Sequence, residues 1–233
     1  TMDYSKMLMQ HVQSKADMTV ACIEVPRMEA REFGVMSVDE NMRISRFTEK
    51  PANPEAIPDK PDQSLASMGI YVFTTGFLYD KLIEDAKDEN SDHDFGKNII
   101  PRAIPNSRAM AYTYRDDQGK MAYWRDIGTV DAYWKANMEL CSIEPELNLY
   151  NQSWPIWTYQ VQLPPAKFVF DDEGRRGEAI DSLVSGGCII AGAHVKRSVI
   201  FFATRIETCS MVKDSVVLPG VYIGRNCRIN RAI

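Results

Sequence analysis

Lys196-Arg197-Ser198-Val199 and Lys213-Asp214-Ser215-Val216 are two copies of one pattern, separated by 17 residues. The aliphatic residues around them repeat with the same period, in the sets Val195, Val212 and Ile229; Ile189, Ile206 and Ile223; Ile200 and Val217. Along the chain these aliphatics follow one another at steps of six, five and six residues, which suits a triangular coil with one aliphatic at each corner. The period predicts a parallel β-helix of hexapeptide-type repeats over residues 181–233, with these side chains buried.

Residues 144–180, upstream of the repeat, break the pattern. Tryptophan and proline cluster there, as in Trp154-Pro155, Trp157 and Pro164-Pro165. This composition is typical of a linker packed between domains. We therefore predict one domain over 1–143, a linker over 144–180 and the repeat domain over 181–233.

Residues 1–143 alternate strand and helix patterns. The apolar, β-rich run 19–25 is typical of a strand that is covered on both faces in a parallel sheet. Further strands are predicted over 33–38, 43–48, 65–73 and 109–114, and another from Met121 to Asp126. Helices are predicted over 75–87 and after Thr129, the latter with a buried stripe of Val130, Trp134, Asn137, Met138 and Cys141. This alternation predicts an α/β layer architecture.

The composition excludes two classes of partner. The net charge is −5 and there is no basic block, whereas a nucleic-acid-binding protein carries a basic footprint. Apolar runs stay shorter than the roughly 20 residues that a membrane-spanning helix needs. The cysteines are odd in number, widely spread and set mostly among apolar neighbours, which indicates buried reduced thiols in a cytoplasmic protein.

The stretch Arg46-Phe47-Thr48-Glu49-Lys50-Pro51 marks the candidate site. Proline lacks an amide hydrogen and restricts the residue before it, so we expect Lys50 to be extended at the end of a strand. Its ammonium is then a point charge suited to a phosphate, and the Glu49 carboxylate can accept hydrogen bonds from sugar hydroxyls. An ordinary charged pair before a turn is the alternative, and this stretch alone does not exclude it.

Two further motifs follow this stretch, and the order of the three motifs is informative. After Glu49-Lys50-Pro51 come Ser67-Met68-Gly69-Ile70-Tyr71-Val72-Phe73 and Trp124-Arg125-Asp126-Ile127-Gly128-Thr129. Together they resemble the sugar half of the nucleotidyltransferases that join a sugar 1-phosphate to a nucleoside triphosphate. Within these enzymes the chain is most similar to the bacterial glucose-1-phosphate adenylyltransferases (ADP-glucose pyrophosphorylases). Other segments that look like this family are Phe33-Gly34-Val35-Met36, His93-Asp94-Phe95-Gly96-Lys97, Pro145-Glu146-Leu147-Asn148-Leu149-Tyr150, Pro164-Pro165-Ala166-Lys167-Phe168 and Ser182-Leu183-Val184-Ser185-Gly186-Gly187-Cys188.

The resemblance implies a fold and an activity. The fold is part of a Rossmann-like α/β domain with a mixed sheet, followed by a left-handed parallel β-helix. The activity is the formation of ADP-glucose and pyrophosphate from ATP and glucose 1-phosphate, the committed step of bacterial glycogen synthesis. It also implies a cytoplasmic homotetramer that responds to small-molecule allosteric effectors and has no nucleic-acid or membrane partner.

The resemblance further implies which residues bind glucose 1-phosphate: Gly34, Glu49, Lys50, Ser67 and Tyr71. Lys50 would hold the phosphate and Glu49 the sugar hydroxyls. Gly34 would offer its backbone to the sugar, Ser67 a hydroxyl donor and Tyr71 a wall behind them. A hydroxyl satisfied within the core is the alternative role for Ser67, and a bulge without a ligand is the alternative for Gly34.

Asp126 would be a Mg²⁺ ligand, because this hard cation prefers carboxylate oxygen. The attacking phosphate of glucose 1-phosphate is already anionic, so no side-chain base is required. Catalysis then depends on positioning and charge neutralisation, with Lys50 and Asp126 as the catalytic residues. The alternative for Asp126 is a cap on the following helix.

Three other functions are open at this point. A related enzyme would use UTP, GTP or dTTP in place of ATP. A hexapeptide-repeat acyltransferase would use His194, in a turn of the first coil, as its general base. A regulatory or scaffold protein would use the β-helix as an oligomer interface.

The chain departs from the family at its beginning. The family places a glycine-rich nucleotide loop after its first strand, together with a second metal-binding aspartate, and no G-x-G run occurs here before residue 34. We therefore expect a fragment that is inactive by itself: the sugar-binding half, the linker and an incomplete β-helix. The loss of preceding strands would also leave 19–25 as an exposed sheet edge.

Overall fold

The computed structural model describes residues 2–116, 118–157, 159–172 and 174–233, which form two compact units, Thr1–Trp124 and Arg125–Ile233. A five-stranded sheet organises the first unit, and parallel ladders of short strands organise the second. Residues 125–143, which the sequence assigned to the first domain, are grouped with the second unit. The predicted domain limits otherwise stay predictions.

The first unit is a mixed sheet with short helices. Its elements are α1 (Tyr4–Gln13), β1 (Met18–Pro26), β2 (Gly34–Val38), β3 (Ile44–Glu49), β4 (Gln63–Phe73), α2 (Thr75–Ala86), α3 (Ile100–Ala103) and β5 (Ala109–Thr113). The strand order is β3-β2-β4-β1-β5. β1 runs antiparallel to β4 and parallel to β5, so the mixed sheet implied by the resemblance is confirmed.

β1 is buried on both faces, as its continuous apolar run predicts. Val20 and Cys22 join one core cluster with Ile100, and Ile23 joins another, on the opposite face, with Met7. Burial raises the pKa of the Cys22 thiol to about 12. The expected exposed edge at 19–25 is wrong, because β4 and β5 both pair with β1. The expected parallel pairing is present only on the β5 side, since β4 is antiparallel.

The second unit contains α4 (Val130–Glu139) and the strands of a parallel β-helix. The β-helix strands are β6 (Lys167–Val169), β9 (Glu178–Ile180), β10 (Leu183–Val184), β11 (Ile189–Ala191), β12 (His194–Lys196), β13 (Val199–Ile200), β14 (Arg205–Ile206), β15 (Met211–Lys213), β16 (Val216–Val217), β17 (Tyr222–Ile223) and β18 (Arg228–Asn230). β7 (Asp171–Asp172) and β8 (Arg175–Arg176) form a separate antiparallel pair. The β-helix faces are the ladders β10-β13-β16, β17-β14-β11-β6 and β18-β15-β12-β9. Because β6 and β9 belong to these ladders, the coil begins upstream of residue 181. Its handedness stays an expectation from the resemblance.

The corner aliphatics are buried as the 17-residue period predicts, with two exceptions. The buried ones are Val195, Ile200, Ile206, Val212, Val217 and Ile223. The prediction for Ile189 is wrong, because Ile189 is half-buried. The neighbouring Ile190 is fully buried instead, and it pairs with Ile206. The first coil is therefore one residue shorter than the second at this corner. Ile229, in the last coil, is also only half-buried.

The turns of the β-helix use a repeated backbone conformation. One residue with positive φ occurs per coil at each corner, in the sets Asp181, Arg197, Asp214 and Arg231; Gly187, Ala203 and Gly220; Gly192, Cys209 and Asn226. A serine ladder stabilises one corner. Ser198 Oγ accepts a hydrogen bond from Ser215 N–H at 3.1 Å, and Ser215 Oγ accepts one from Ala232 N–H at 3.1 Å.

The helix after Thr129 is confirmed, but its stripe is not buried. Thr129 Oγ1 caps α4 by accepting a hydrogen bond from Ala132 N–H at 3.2 Å. Trp134 Nε1 donates to the Asp214 carbonyl at 2.8 Å, so α4 lies against the β-helix. Val130 is 75% exposed, and the other predicted stripe residues are half-buried. Part of the apolar face of α4 is therefore exposed to solvent.

The composition led to expectations about the cysteines and about membrane-spanning helices. Cys22 and Cys188 are buried free thiols, but Cys209 is exposed and Cys141 and Cys227 are half-buried. The expectation that most of the thiols are buried is therefore wrong, because only two of the five are. In the ranges that the structure describes, no helix has the length and apolar character to cross a membrane.

Candidate functional site

Glu49 is the last residue of β3, and Gly34, the first residue of β2, lies opposite it in the antiparallel hairpin. The predicted strands 33–38 and 43–48 are thus confirmed, and Asp39 Oδ1 accepts hydrogen bonds from Asn41 and Arg43 N–H in the turn that connects them. The hairpin thus places Glu49 at the strand terminus beside the first backbone unit of its neighbour.

Two glycines make room for the Glu49 carboxylate. A Cβ atom at Gly96 would lie 2.7 Å from Glu49 Oε2, and a Cβ atom at Gly34 would lie 2.9 Å from the same oxygen. The Gly34 Cβ would also lie 2.4 Å from Phe47 Cζ. Gly34 therefore has a packing role in the free protein, and its predicted backbone contact with a sugar stays a prediction.

Lys50 is not extended, which corrects the expectation from Pro51. Its φ is +44°, in the left-handed region, and its N–H donates to the Phe33 carbonyl at 3.0 Å. Proline disfavours the right-handed helical region for the preceding residue. The hydrogen bond to Phe33 continues the hairpin register, in which Gly34 lies opposite Glu49, so the chain leaves the strand at Lys50. The left-handed conformation costs about 1–2 kcal/mol for a non-glycine residue.

The Lys50 side chain is exposed. Across the described ranges, its ammonium makes no ion pair with a carboxylate, unlike Lys60, which pairs with Glu24. An unpaired cation next to a carboxylate held at a strand end can contact a phosphate while the carboxylate contacts hydroxyls. This arrangement is stronger evidence for a ligand than the sequence pair alone.

Ser67 and Tyr71 are brought together by an irregularity in β4. Tyr71 lies opposite Val20 of β1, whereas Ser67 lies opposite Cys22, so β4 contains extra residues between them. Gly69, within the irregularity, has φ +69°, and its N–H donates to Ser67 Oγ at 3.2 Å. Bulges of this kind reorient side chains and are common beside active sites.

Tyr71 borders the Glu49 carboxylate. Burial raises the pKa of the Tyr71 phenol, a hydrogen bond with Ser67 opposes the rise, and the nearby carboxylates of Glu49 and Asp94 add to it. The ring stacks on Phe95 with a centroid separation of 5.9 Å and an interplanar angle of 20°. Its predicted position as a wall is consistent with this packing.

The structure adds Asp94, Phe95 and Gly96 to the site. They begin a π-helical turn, Phe95–Ile99, in which Asp94 Oδ1 accepts a hydrogen bond from Lys97 N–H at 2.8 Å. A signal for them was present, since His93-Asp94-Phe95-Gly96-Lys97 is one of the segments that carry the resemblance. The pattern of polar and apolar residues alone gave them no role.

Asp126 belongs to the second unit and is exposed. Its Oδ1 accepts a hydrogen bond from Gly128 N–H at 3.1 Å. The predicted strand from Met121 is not formed; Met121 makes only an isolated bridge with Arg115. An irregular, exposed segment replaces the strand, and helix capping falls to Thr129 rather than to Asp126.

An Mg²⁺ ion fits Asp126 as a single protein ligand. The described residues contain no cluster of three or more His, Cys, Asp or Glu side chains suited to a metal. Mg²⁺ usually keeps several waters and takes one or two carboxylates together with substrate phosphates, rather than a full protein cage. One exposed carboxylate is compatible with that mode of binding.

His194 lies in β12 rather than in a turn. Its Nδ1 is 2.8 Å from Glu178 Oε1, and the two residues are partners in the β9–β12 ladder. This pair links two neighbouring coils of the β-helix, which gives His194 a structural role.

Comparison with known proteins identifies two family matches. Residues 1–143 match the family described as Nucleotidyl transferase. Residues 164–233 match the family described as GlmU-like, C-terminal hexapeptide. The matches agree with the sheet unit and the β-helix.

Several curated relatives are similar along the whole chain. A glucose-1-phosphate adenylyltransferase of Thiobacillus denitrificans is 64% identical over 100% of this chain and 53% of the relative. Those of Hydrogenovibrio crunogenus and Methylococcus capsulatus are 63% and 58% identical, each over 100% of this chain and 55% of the relative. The chain thus spans about half the length of the curated relatives it matches.

Proposed function

The chain belongs to the nucleotidyl transferase family, and we propose that it forms the glucose 1-phosphate side of an enzyme that makes ADP-glucose and pyrophosphate from ATP and glucose 1-phosphate. The observation that carries the proposal is the Glu49 carboxylate, packed beside two glycines, next to the exposed ammonium of Lys50, which has no ion-pair partner among the residues that the structure describes. The high identity to relatives named glucose-1-phosphate adenylyltransferase supports the choice of substrates.

In this proposal, each part of the sugar site has one task. Glu49 accepts hydrogen bonds from sugar hydroxyls, with Ser67 and Tyr71 beside it. Lys50 binds the phosphate of glucose 1-phosphate and holds the attacking oxygen in place. Since that oxygen is already anionic, these residues contribute by orientation and charge neutralisation, not by removing a proton. Gly34 keeps the backbone close enough for a sugar to approach the hairpin.

Asp126 is the residue that would hold Mg²⁺. When bound, the ion supplies positive charge at the phosphates, where negative charge builds up during the transfer. Asp126 suits this task because its carboxylate is exposed and only one of its oxygens accepts the hydrogen bond from Gly128.

We further propose the biological setting that the relatives suggest. The enzyme acts in the cytoplasm in glycogen synthesis, as a homotetramer whose activity responds to small-molecule effectors. The β-helix supplies a rigid element suited to subunit contacts. Gel filtration coupled to light scattering measures the assembly directly, and a monomer at all concentrations contradicts this part.

Steady-state kinetics tests the assignment of Lys50. In an active enzyme that contains this chain, Lys50→Ala raises the KM for glucose 1-phosphate about ten- to a hundredfold, the value of a charged hydrogen bond, and changes the KM for ATP less. Lys15 is the matched control, because it is also an exposed lysine with positive φ, at +48°. Lys15→Ala leaves both values unchanged.

A nucleotide panel tests the choice of ATP. Pyrophosphate release is measured with ATP, UTP, GTP and dTTP at equal concentrations, with glucose 1-phosphate as the acceptor. We expect ATP to give the highest kcat/KM. A higher kcat/KM with another nucleotide would mean that the enzyme makes a different sugar nucleotide.

For the kinetics of Lys50→Ala, an equal rise in the KM values for glucose 1-phosphate and ATP refutes the role of Lys50.

A further inference from the structure

We propose that Gly96 is a positioning residue for sugar recognition: it has no side chain, so the turn after His93 can close on Glu49 and fix the carboxylate that contacts the sugar. The inference rests on the proposed function of Glu49. It assigns to Gly96 an effect on substrate affinity through another residue, without a contact of its own with substrate.

The backbone does not require glycine at this position. Gly96 and Gly34 both lie outside the set of glycines with positive φ, so other residues can adopt their backbone conformations. What each position lacks is space, and the same atom, Glu49 Oε2, occupies that space in both cases. The two glycines therefore form a slot around one carboxylate oxygen.

The turn that carries Gly96 is held firmly. His93 N–H donates to Ser91 Oγ at 3.1 Å, and His93 Nδ1 is 2.8 Å from the buried carboxylate of Asp85. On the other side, Asp94 caps the turn and Phe95 stacks on Tyr71. A clash at Gly96 is therefore relieved by movement of Glu49, the far end of a flexible side chain.

The two glycines differ in what a substitution would disturb. A Cβ at Gly34 would meet the ring of Phe47, which is buried in the core. The three atoms nearest to a Cβ at Gly96 would be Oε2 and Cδ of Glu49 and, at 3.4 Å, Asp94 Oδ1. Gly96→Ala is thus the cleaner probe, because it displaces a carboxylate without forcing an aromatic ring out of the core.

A fixed carboxylate binds a sugar better than a mobile one, since less side-chain freedom is lost on binding. Displacement of Glu49 weakens contacts with the sugar and leaves the phosphate contact of Lys50 intact. This difference separates Gly96 from a residue with a general structural role. Inorganic phosphate is the probe for the Lys50 contact alone.

The experiment compares binding of glucose 1-phosphate and inorganic phosphate to the chain and its variants by NMR titration. Gly96→Ala is expected to weaken glucose 1-phosphate about tenfold, within the range for a charged hydrogen bond, and to leave phosphate binding unchanged. Gly76→Ala is the matched control, because a Cβ there has nothing within 4 Å. Equal binding of glucose 1-phosphate by Gly96→Ala and wild type overturns the proposal.

A double-mutant cycle with Glu49→Asp sharpens the test. The shorter side chain withdraws the carboxylate by about 1.5 Å, so the added methyl group at position 96 no longer clashes with the carboxylate of residue 49. The double variant should bind glucose 1-phosphate as Glu49→Asp does. Additive losses contradict the slot. If Gly96→Ala alone does not fold, recovery of folding in the double variant supports the proposal, and its failure overturns it.

A crystal structure of Gly96→Ala separates this inference from the proposed function. Absence of glucose 1-phosphate binding by the wild type refutes the function of the site. The slot can be tested in crystals without ligand. The Glu49 carboxylate should lie farther from position 96 in Gly96→Ala than in the wild type. An unmoved carboxylate refutes the slot, even if the wild type binds glucose 1-phosphate.

Discussion

The β-helix and the region around Glu49 use the same uncommon backbone conformation differently. In the β-helix, residues with positive φ recur once per coil, as at Arg197 and Asp214, and they turn the chain. Lys50 has positive φ outside any repeat, and its exposed ammonium, which has no ion-pair partner in the described part of the chain, lies next to Glu49. The left-handed residues that repeat are thus structural. At Lys50 the same conformation lies next to the Glu49 carboxylate in the candidate site, whereas Lys15 shares the positive φ but lies outside that site.

Asp126 is the strongest challenge to that comparison, because the proposed Mg²⁺ ligand lies in the same unit as the β-helix. Asp126→Asn should lower kcat on the order of a hundredfold and change substrate affinity much less, since it weakens a metal that acts in the transition state. Excess Mg²⁺ should restore part of kcat. Steady-state kinetics over a range of Mg²⁺ measures this, and a normal kcat at low Mg²⁺ limits Asp126 to its contact with Gly128.

Core substitutions in the β-helix should affect stability but not sugar binding. Ile190→Ala should lower the free energy of unfolding of the second unit by about 2–5 kcal/mol, because it empties a fully buried corner. Ile189→Ala, one residue away and half-buried, is the matched control and should cost less. Denaturant unfolding measures both. A larger loss of stability for Ile189→Ala than for Ile190→Ala would instead place Ile189 at the buried corner, as the 17-residue period predicts.

The serine ladder should contribute less than a corner aliphatic. Ser198→Ala removes the oxygen that accepts from Ser215 N–H, and the buried donor then lacks a partner. The expected loss is about 1–3 kcal/mol in the free energy of unfolding. Ser182→Ala removes a similar acceptor, for Ser198 N–H, at a less buried position and should cost less. Equal free energies of unfolding for wild type and Ser198→Ala would show that the serine ladder makes no net contribution to stability.

Acid should weaken the first unit through Asp85. The hydrogen bond from Ser91, then that from His93, lowers the pKa of this carboxyl below its usual range. A depressed folded pKa stabilises above the unfolded pKa of about 3.9, and this stability is lost as the pH falls through the folded value. Melting temperatures between pH 6 and pH 2 should therefore fall less steeply for Asp85→Asn.

The exposed Asp80, on the same helix as Asp85, provides the control. Asp80→Asn should retain the acid dependence of the wild type. Identical pH profiles for Asp85→Asn and wild type show that the Asp85 contacts are not a source of acid lability.

The two regions also differ in how far the sequence predicted them. The 17-residue period gave the β-helix and most of its buried corners, because each coil repeats one local rule. It missed the shift from Ile189 to Ile190, since one residue fewer in the first coil changes the register without changing the composition.

The site depended on contacts that local rules do not describe. Glu49 and Lys50 were found from the motif, but the left-handed conformation of Lys50 was not, because a proline at position 51 predicts an extended residue before it. The approach of Gly96 to Glu49 joins residues 47 positions apart. Such contacts are set by the packing of the turn against the hairpin, and no periodic pattern in the sequence records them.

Calorimetric titration of glucose 1-phosphate into the chain tests the central claim most directly. The account predicts saturable binding by the wild type and by Lys15→Ala, and a dissociation constant raised about ten- to a hundredfold in Lys50→Ala, with the melting temperature unchanged. The unchanged melting temperature would show that Lys50 serves the ligand and not the fold. Equal affinities of Lys50→Ala and Lys15→Ala for glucose 1-phosphate would contradict the account.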